Sequence, residues 1–157
     1  MKQTLLILMA VALVGCGKKA SEVEPKTEAK QSPEEDRLQG VWVVIRLTDN
    51  GREDPLSDIK LKLTIKDNKY IYEVRSFSDS ASLASFSATY KINPTTKPKE
   101  IDVTFEEGPQ KGKTMLAIYS LKEEVLIICG GTEKRPTEFI SNPKSRDILF
   151  VFKREKP

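Results

Sequence analysis

The chain has 157 residues, with 26 Lys and Arg against 23 Asp and Glu and a formal net charge of +3. It contains no histidine, which excludes a Ser-His-Asp triad, a Cys-His dyad, histidine metal ligands and an imidazole pH switch. Two cysteines are too few for a cysteine-rich zinc site, and the positive excess is weaker than that of a nucleic-acid-binding protein. We therefore expect no metal, no cofactor and no nucleic-acid partner.

The first fifteen residues predict an export signal. Met1 and Lys2 precede an apolar run from Leu5 to Val14, which is shorter than the roughly 20 residues of a membrane-spanning helix. The run ends in Leu13-Val14-Gly15-Cys16, which resembles the lipobox of bacterial lipoproteins. The resemblance implies cleavage before Cys16 and acylation of that cysteine, with palmitate among the attached chains. The alternative is an ordinary secretory signal followed by an incidental cysteine.

Residues 16–36 are expected to form the lipidated cysteine and a flexible tether. They are highly charged and contain too few apolar residues to offset chain entropy. Gly17 follows the cysteine where an aspartate commonly retains lipoproteins in the inner membrane. This favours a cell-envelope location, lipid-anchored in the outer membrane on its periplasmic face. Residues 37–157 remain for one folded domain.

Apolar residues alternate with polar ones almost throughout that domain. Ile59, Leu61, Leu63 and Ile65 alternate with charged or polar residues and predict a half-buried strand. Further strands are predicted at 41–48, 70–75, 86–92, 101–105, 114–121, 124–129, 137–140 and 148–153. Asp67-Asn68 predicts a two-residue hairpin turn. Eight or nine short strands without a long helical stripe predict an all-β fold, either a small antiparallel barrel or a sandwich.

Two sets of residues resemble known families. Gly40-Val41-Trp42 resembles the G-x-W signature of lipocalins, which implies that Trp42 closes one barrel end beneath a basic side chain, here Arg154. A longer series is similar to a family of uncharacterised exported domains, often lipoproteins, that is expanded in planctomycete bacteria. The series comprises residues 38–42 (LQGVW), 90–94 (YKINP), 99–105 (KEIDVTF), 107–114 (EGPQKGKT), 118–119 (IY), 126–129 (LIIC), 135–139 (RPTEF) and 148–154 (ILFVFKR). The resemblance implies a lipocalin-like β-barrel of about eight strands at 37–157, with no assigned activity.

Three features of the domain remain open to interpretation. Arg135 and Glu138 form either an ion pair that fixes a loop, or a barrel-mouth site in which the arginine binds an acidic ligand. The serine-rich segment 76–87 is either a plain loop or a flap over one barrel end. Cys129 has no histidine to activate it, and we expect it to be buried as a small hydrophobic residue.

The motifs that suggest catalysis lack their required surroundings. Gly112-Lys113-Thr114 has no glycine at position 107 and precedes a predicted strand, unlike a phosphate-binding loop. Ser57 and Ser141 each begin an S-x-x-K match without the helix that serine β-lactamases place there. The sequence therefore favours a non-enzymatic domain that binds a small apolar or amphipathic ligand or an envelope protein. The alternatives are a filled barrel that acts through its surface and a hydrolase that works without histidine.

Overall fold

The structure, a computed structural model, describes residues 32–78, 81–131 and 133–156. Cys16, the predicted export signal and the predicted tether up to residue 31 lie outside these residues. The described residues form one short helix and nine β-strands: α1 (Pro33–Leu38), β1 (Gly40–Asp49), β2 (Arg52–Asp54), β3 (Ile59–Lys66), β4 (Lys69–Ser76), β5 (Ser82–Asn93), β6 (Lys99–Phe105), β7 (Thr114–Lys122), β8 (Val125–Gly131) and β9 (Ile148–Arg154). None of the helical structure in this part of the chain is long and apolar enough to span a membrane.

The strands form an antiparallel sheet that closes on itself. From β3 to β9, each strand pairs with the next one along the chain. Closure comes from β1, which pairs with β3 through Gly40–Val43 and with β9 through Trp42–Asp49. Within the described residues β1 and β3–β9 thus form an eight-stranded antiparallel barrel, and the predicted all-β barrel is confirmed. Closure leaves few free strand edges for pairing with other chains.

The alternating pattern places one side of each strand inside the barrel. On β3, Leu61, Leu63 and Ile65 are at most 4% exposed, and Lys62 and Thr64 between them face outward. The turn between β3 and β4 falls at Asp67-Asn68 as predicted, and Asp67 adopts a positive φ of 55°. On β1, the register with β9 shifts between Val44 and Arg46, so that Ile45 forms a bulge.

The two ends of the barrel differ. At one end, here named the closed end, β1 begins and β9 finishes, and helix α1 precedes β1. At the other, the open end, β1 finishes and β9 begins. The predicted tether extends to Asp36, whereas the structure places Pro33 to Asp36 in α1. Ser32 caps this helix in a reciprocal capping box with Glu35, which stabilises so short a helix.

Three local predictions differ from the structure. Residues 137–140 are not a strand but part of the connection between β8 and β9, which is anchored on the outer face of the barrel. Residues 82–85, predicted only within a loop or flap, form the first part of β5, which begins four residues before the predicted strand at 86–92. Strand β2 was not predicted, because all three of its residues are polar and exposed and give no alternating pattern.

Candidate ligand-binding site

Trp42 and Arg154 lie together at the closed end. They face each other across the β1–β9 pairing, and the guanidinium carbon of Arg154 lies 4.0 Å from the centre of the Trp42 ring. Trp42 is fully buried, and its indole N–H donates to the Leu38 carbonyl at 2.9 Å. Arg154 donates to the carbonyls of Gln39 at 2.5 Å and Arg37 at 2.6 Å. The pair therefore fastens the end of α1 to the barrel by stacking and by charge-assisted hydrogen bonds.

Gly40 permits this arrangement. Its φ is 128°, and a Cβ atom built on it would lie 2.6 Å from Arg154 Nη1. Any larger residue would be strained and would displace the guanidinium. The structure thus brings together Gly40, Trp42 and Arg154, the three residues predicted from the lipocalin-like signature.

Helix α1 completes the closed end. The Glu34 carboxylate accepts from Lys99 Nζ at 2.7 Å and from the Tyr119 hydroxyl at 3.5 Å. Burial, followed by the nearby Glu34 charge, raises the pKa of Tyr119. The Tyr90 hydroxyl donates to the Asp67 carbonyl at 2.9 Å. No fully buried side-chain nitrogen or oxygen at this end lacks a hydrogen-bond partner among the described residues, as is usual for buried polar groups.

The open half of the barrel contains a cavity of about 260 Å³. Strands β4, β5, β6, β7 and β9 line it, and Pro109 and Gln110 contribute from the β6–β7 connection. Its main side chains are Tyr70, Tyr72, Phe86, Phe105, Met115 and Phe150. Sequence reasoning identified none of these as site residues. The sequence feature that could have identified two of them is the alternation of Tyr70, Tyr72 and Val74 on β4, which predicts that both tyrosine side chains lie inside the barrel.

Aromatic contacts link side chains of the cavity wall. Tyr72 and Phe150 form an edge-to-face pair with ring centroids 5.9 Å apart, and Phe150 stacks on Phe152 at 5.7 Å. Aromatic pairs in these geometries add stability beyond that of the area they bury. Met115 fits against Gly130, where a Cβ atom would lie 2.6 Å from the Met115 sulfur. The cavity thus has a preformed, largely apolar wall, as small-molecule sites do.

No charged side chain lines the cavity among the described residues. Burial is the main cause that raises the pKa of both Tyr70 and Tyr72, with smaller contributions from Tyr72 on Tyr70 and from Asp54 on Tyr72. Both phenols therefore stay protonated at neutral pH. The arrangement is suited to hold a largely apolar molecule that carries a hydrogen-bond acceptor.

No protein-family model and no curated protein matches this chain. Among solved structures, lobster apocrustacyanin A1 is similar at 14% identity with a TM-score of 0.44, over 82% of this chain and 66% of that one. Apocrustacyanin C1 is similar at 15% identity, with the same TM-score and coverage. The chain thus spans slightly less than two thirds of the structures it resembles.

The outer face of the barrel carries a second buried cluster. Ile118, Cys129 and Val151 alternate with inward-facing residues, yet each is at most 7% exposed. The β8–β9 connection lies over this face, and the Cys129 thiol donates to the Ile140 carbonyl at 3.8 Å. Cys129 is buried and free, as the sequence predicts.

Burial should make Cys129 unreactive and should make stability fall at alkaline pH. Burial raises the pKa of the Cys129 thiol from 9.0 to about 11. An acid whose pKa is higher in the folded state stabilises the fold below its unfolded pKa, and this contribution is lost between the two values. Urea unfolding at pH 8.5 and 10.5 should show a loss of roughly 1–3 kcal/mol in the wild type beyond that in Cys129→Ala. Equal pH dependence of the two proteins would contradict this.

Arg135 contacts β6 and not Glu138. Its guanidinium lies 2.5 Å from Asp102 Oδ1 and 3.5 Å from Glu100 Oε1, and it donates to the Ala117 carbonyl at 2.6 Å. Glu138 makes no ion pair with any described residue. The predicted Arg135–Glu138 pair is therefore not formed, and Arg135 fixes the β8–β9 connection through Asp102. Arg135 lies over the outer face of the barrel, away from the cavity.

A double-mutant cycle distinguishes the two partners. Arg135→Ala should lower the free energy of unfolding by about 1–3 kcal/mol, because hydrogen bonds to charged groups have this strength. Arg135→Ala and Asp102→Ala should be coupled by about 1 kcal/mol in urea unfolding. The matched cycle with Glu138→Ala should show no coupling. Stronger coupling to Glu138 than to Asp102 would disprove the assignment.

Proposed function

We propose that this protein is a lipid-anchored exported protein whose barrel holds one small apolar or amphipathic molecule without converting it chemically. The open-end cavity carries the proposal, because a barrel of this size either is filled by side chains or holds a small ligand. Its described lining contains no acid, base or thiol that would act on a bound molecule. We therefore favour binding over a hydrolase that works without histidine.

The alternative, a barrel filled by its own side chains, fits only the half of the interior next to the closed end. There Trp42, Tyr119 and Phe152 are each at most 1% exposed and fill the interior. The open half instead retains about 260 Å³ beside partly buried aromatic rings. An envelope protein remains a second candidate partner. The side chains of Phe77 and Leu83, each 58% exposed near the β4–β5 connection, favour that role.

The anchor and the location are part of the same proposal. The lipobox-like residues that end at Cys16 support acylation, and two or more acyl chains hold a protein stably on a membrane. Gly17 supports the outer membrane over the inner. We also propose membership in the exported lipocalin-like family expanded in planctomycetes, on the residue series given above.

Native mass spectrometry of the protein purified gently from its own membrane tests ligand binding. The wild type should carry an additional mass that denaturation releases. Ala88→Leu adds three carbons to a residue that is 1% exposed and lines the cavity, and this variant should carry no additional mass. Its melting temperature should be checked first, because overpacking alone can destabilise a core. A wild-type mass equal to that of the acylated chain alone would contradict the proposal.

A further inference from the structure

The tyrosines of this chain fall into two groups that differ in hydrogen bonding. The sequence contains four, of which Tyr90 and Tyr119 lie toward the closed end. Both of these hydroxyls donate to protein acceptors, at 2.9 Å and 3.5 Å. Tyr70 and Tyr72 line the cavity, and neither hydroxyl has a hydrogen-bond partner among the described residues.

Tyr70 as a whole residue is only 7% exposed. Every fully buried side-chain nitrogen or oxygen among the described residues has a hydrogen-bond partner, so the unpartnered Tyr70 hydroxyl retains accessible surface of its own. Tyr70 and Tyr72 are two residues apart on β4, so both point to the interior and their Cα atoms are roughly 7 Å apart. Two donors thus lie along one cavity wall, available to a guest molecule.

Charge restricts what that guest can be. No lysine or arginine lines the cavity among the described residues, so a bound carboxylate would have no counter-ion. Burying an unpaired charge is costly, whereas a neutral carbonyl oxygen or ring nitrogen needs only a donor. The cavity therefore disfavours a fatty acid, although its apolar wall would suit an alkyl chain.

Size and shape restrict the guest further. A cavity of about 150 Å³ lined by apolar side chains binds benzene, so about 260 Å³ holds roughly ten non-hydrogen atoms. The wall includes the rings of Phe86, Phe105 and Phe150 together with the two tyrosines. Flat rings pack well against such a wall in stacked or edge-to-face contacts.

We infer that the guest is a neutral aromatic molecule of one or two fused rings with a single hydrogen-bond acceptor, which the hydroxyls of Tyr70 and Tyr72 hold. This inference rests on the proposed function, since it specifies the ligand of the same cavity. It assigns the tyrosine hydroxyls to ligand selection and the surrounding rings to affinity.

Equilibrium dialysis of the purified full chain against three probes tests the inference. Naphthalene and quinoline have the same shape, but quinoline carries a ring nitrogen that accepts a hydrogen bond and is neutral at pH 7.5. The third probe, 2-naphthoate, is charged. In the double variant Tyr70→Phe, Tyr72→Phe, quinoline affinity should fall about fivefold or more, while naphthalene affinity changes less than about twofold. In the wild type, 2-naphthoate should bind more weakly than naphthalene.

Tyr90→Phe is the matched control, because it removes a hydroxyl that is already bonded outside the cavity lining. It should leave the affinities for all three probes unchanged. Two results would overturn this inference: equal losses of affinity for quinoline and naphthalene in the double variant, or tighter binding of 2-naphthoate than of naphthalene to the wild type. Neither result would contradict the proposed small-ligand function. If neither naphthalene nor quinoline binds to the wild type, both the inference and the proposed small-ligand function fail.

Discussion

Replacing Trp42 with alanine is expected to lower the free energy of unfolding by about 3–5 kcal/mol, as large aromatic truncations in protein cores do. Trp42 is fully buried, its indole N–H bonds the Leu38 carbonyl, and Arg154 covers its ring at 4.0 Å. The substitution leaves a void, an unpaired carbonyl and an unstacked guanidinium at once. Urea unfolding followed by circular dichroism measures the loss.

Two variants separate the contributions at the closed end. Trp42→Phe keeps an apolar ring but removes the hydrogen bond, and we expect about half the loss. Arg154→Lys keeps the charge but removes the planar group that stacks and bonds two carbonyls, so it should cost about 1–2 kcal/mol. A loss below about 1 kcal/mol for Trp42→Ala would show that the closed end does not depend on this residue.

Cys16→Ala should move the protein from the membrane fraction to the soluble fraction. The proposed acyl chains supply the anchoring energy, at about 0.8 kcal/mol for each buried methylene, and no other cysteine lies near the N-terminus. Labelled palmitate should be incorporated into the wild type and not into the variant. Fractionation of cells that express each form measures the partition.

Cys129→Ala is the matched control for the anchor, because the Cys129 side chain is fully buried between the outer face of the barrel and the β8–β9 connection. It should leave acyl labelling and membrane partition unchanged. Unchanged membrane partition of Cys16→Ala would refute the lipobox interpretation and the location derived from it. It would not contradict the proposal that the cavity binds a ligand.

Much of the fold was predictable from local sequence. Strands such as β3 show strict alternation, since one side faces the core and the other faces water. The short helix α1 was missed, because its residues were assigned to the charged tether, although Ser32, Pro33 and Glu35 form a capping-box pattern. Residues 82–85 were missed as part of β5 because serines dilute their alternation, although Ala84 is partly buried.

The sites were predictable only where one motif contains them. Gly40 and Trp42 are two residues apart, and the lipocalin-like signature pairs them with Arg154. Arg135 bonds Asp102, which lies 33 residues away, so loop path and strand register decide its partner. The cavity is likewise built from five strands whose register no local pattern specifies.

The carbon-13 NMR signal of the Met115 methyl group tests the central claim, that the open-end cavity is a binding site, most directly. Met115 lines the cavity, and the other two methionines, Met1 and Met9, lie in the predicted export signal. A quinoline titration should shift the methyl resonance to saturation, because the guest's ring current acts on it. Ala88→Leu, folded but with its cavity reduced, should show no shift. An unmoved wild-type resonance at the solubility limit of quinoline would contradict the account.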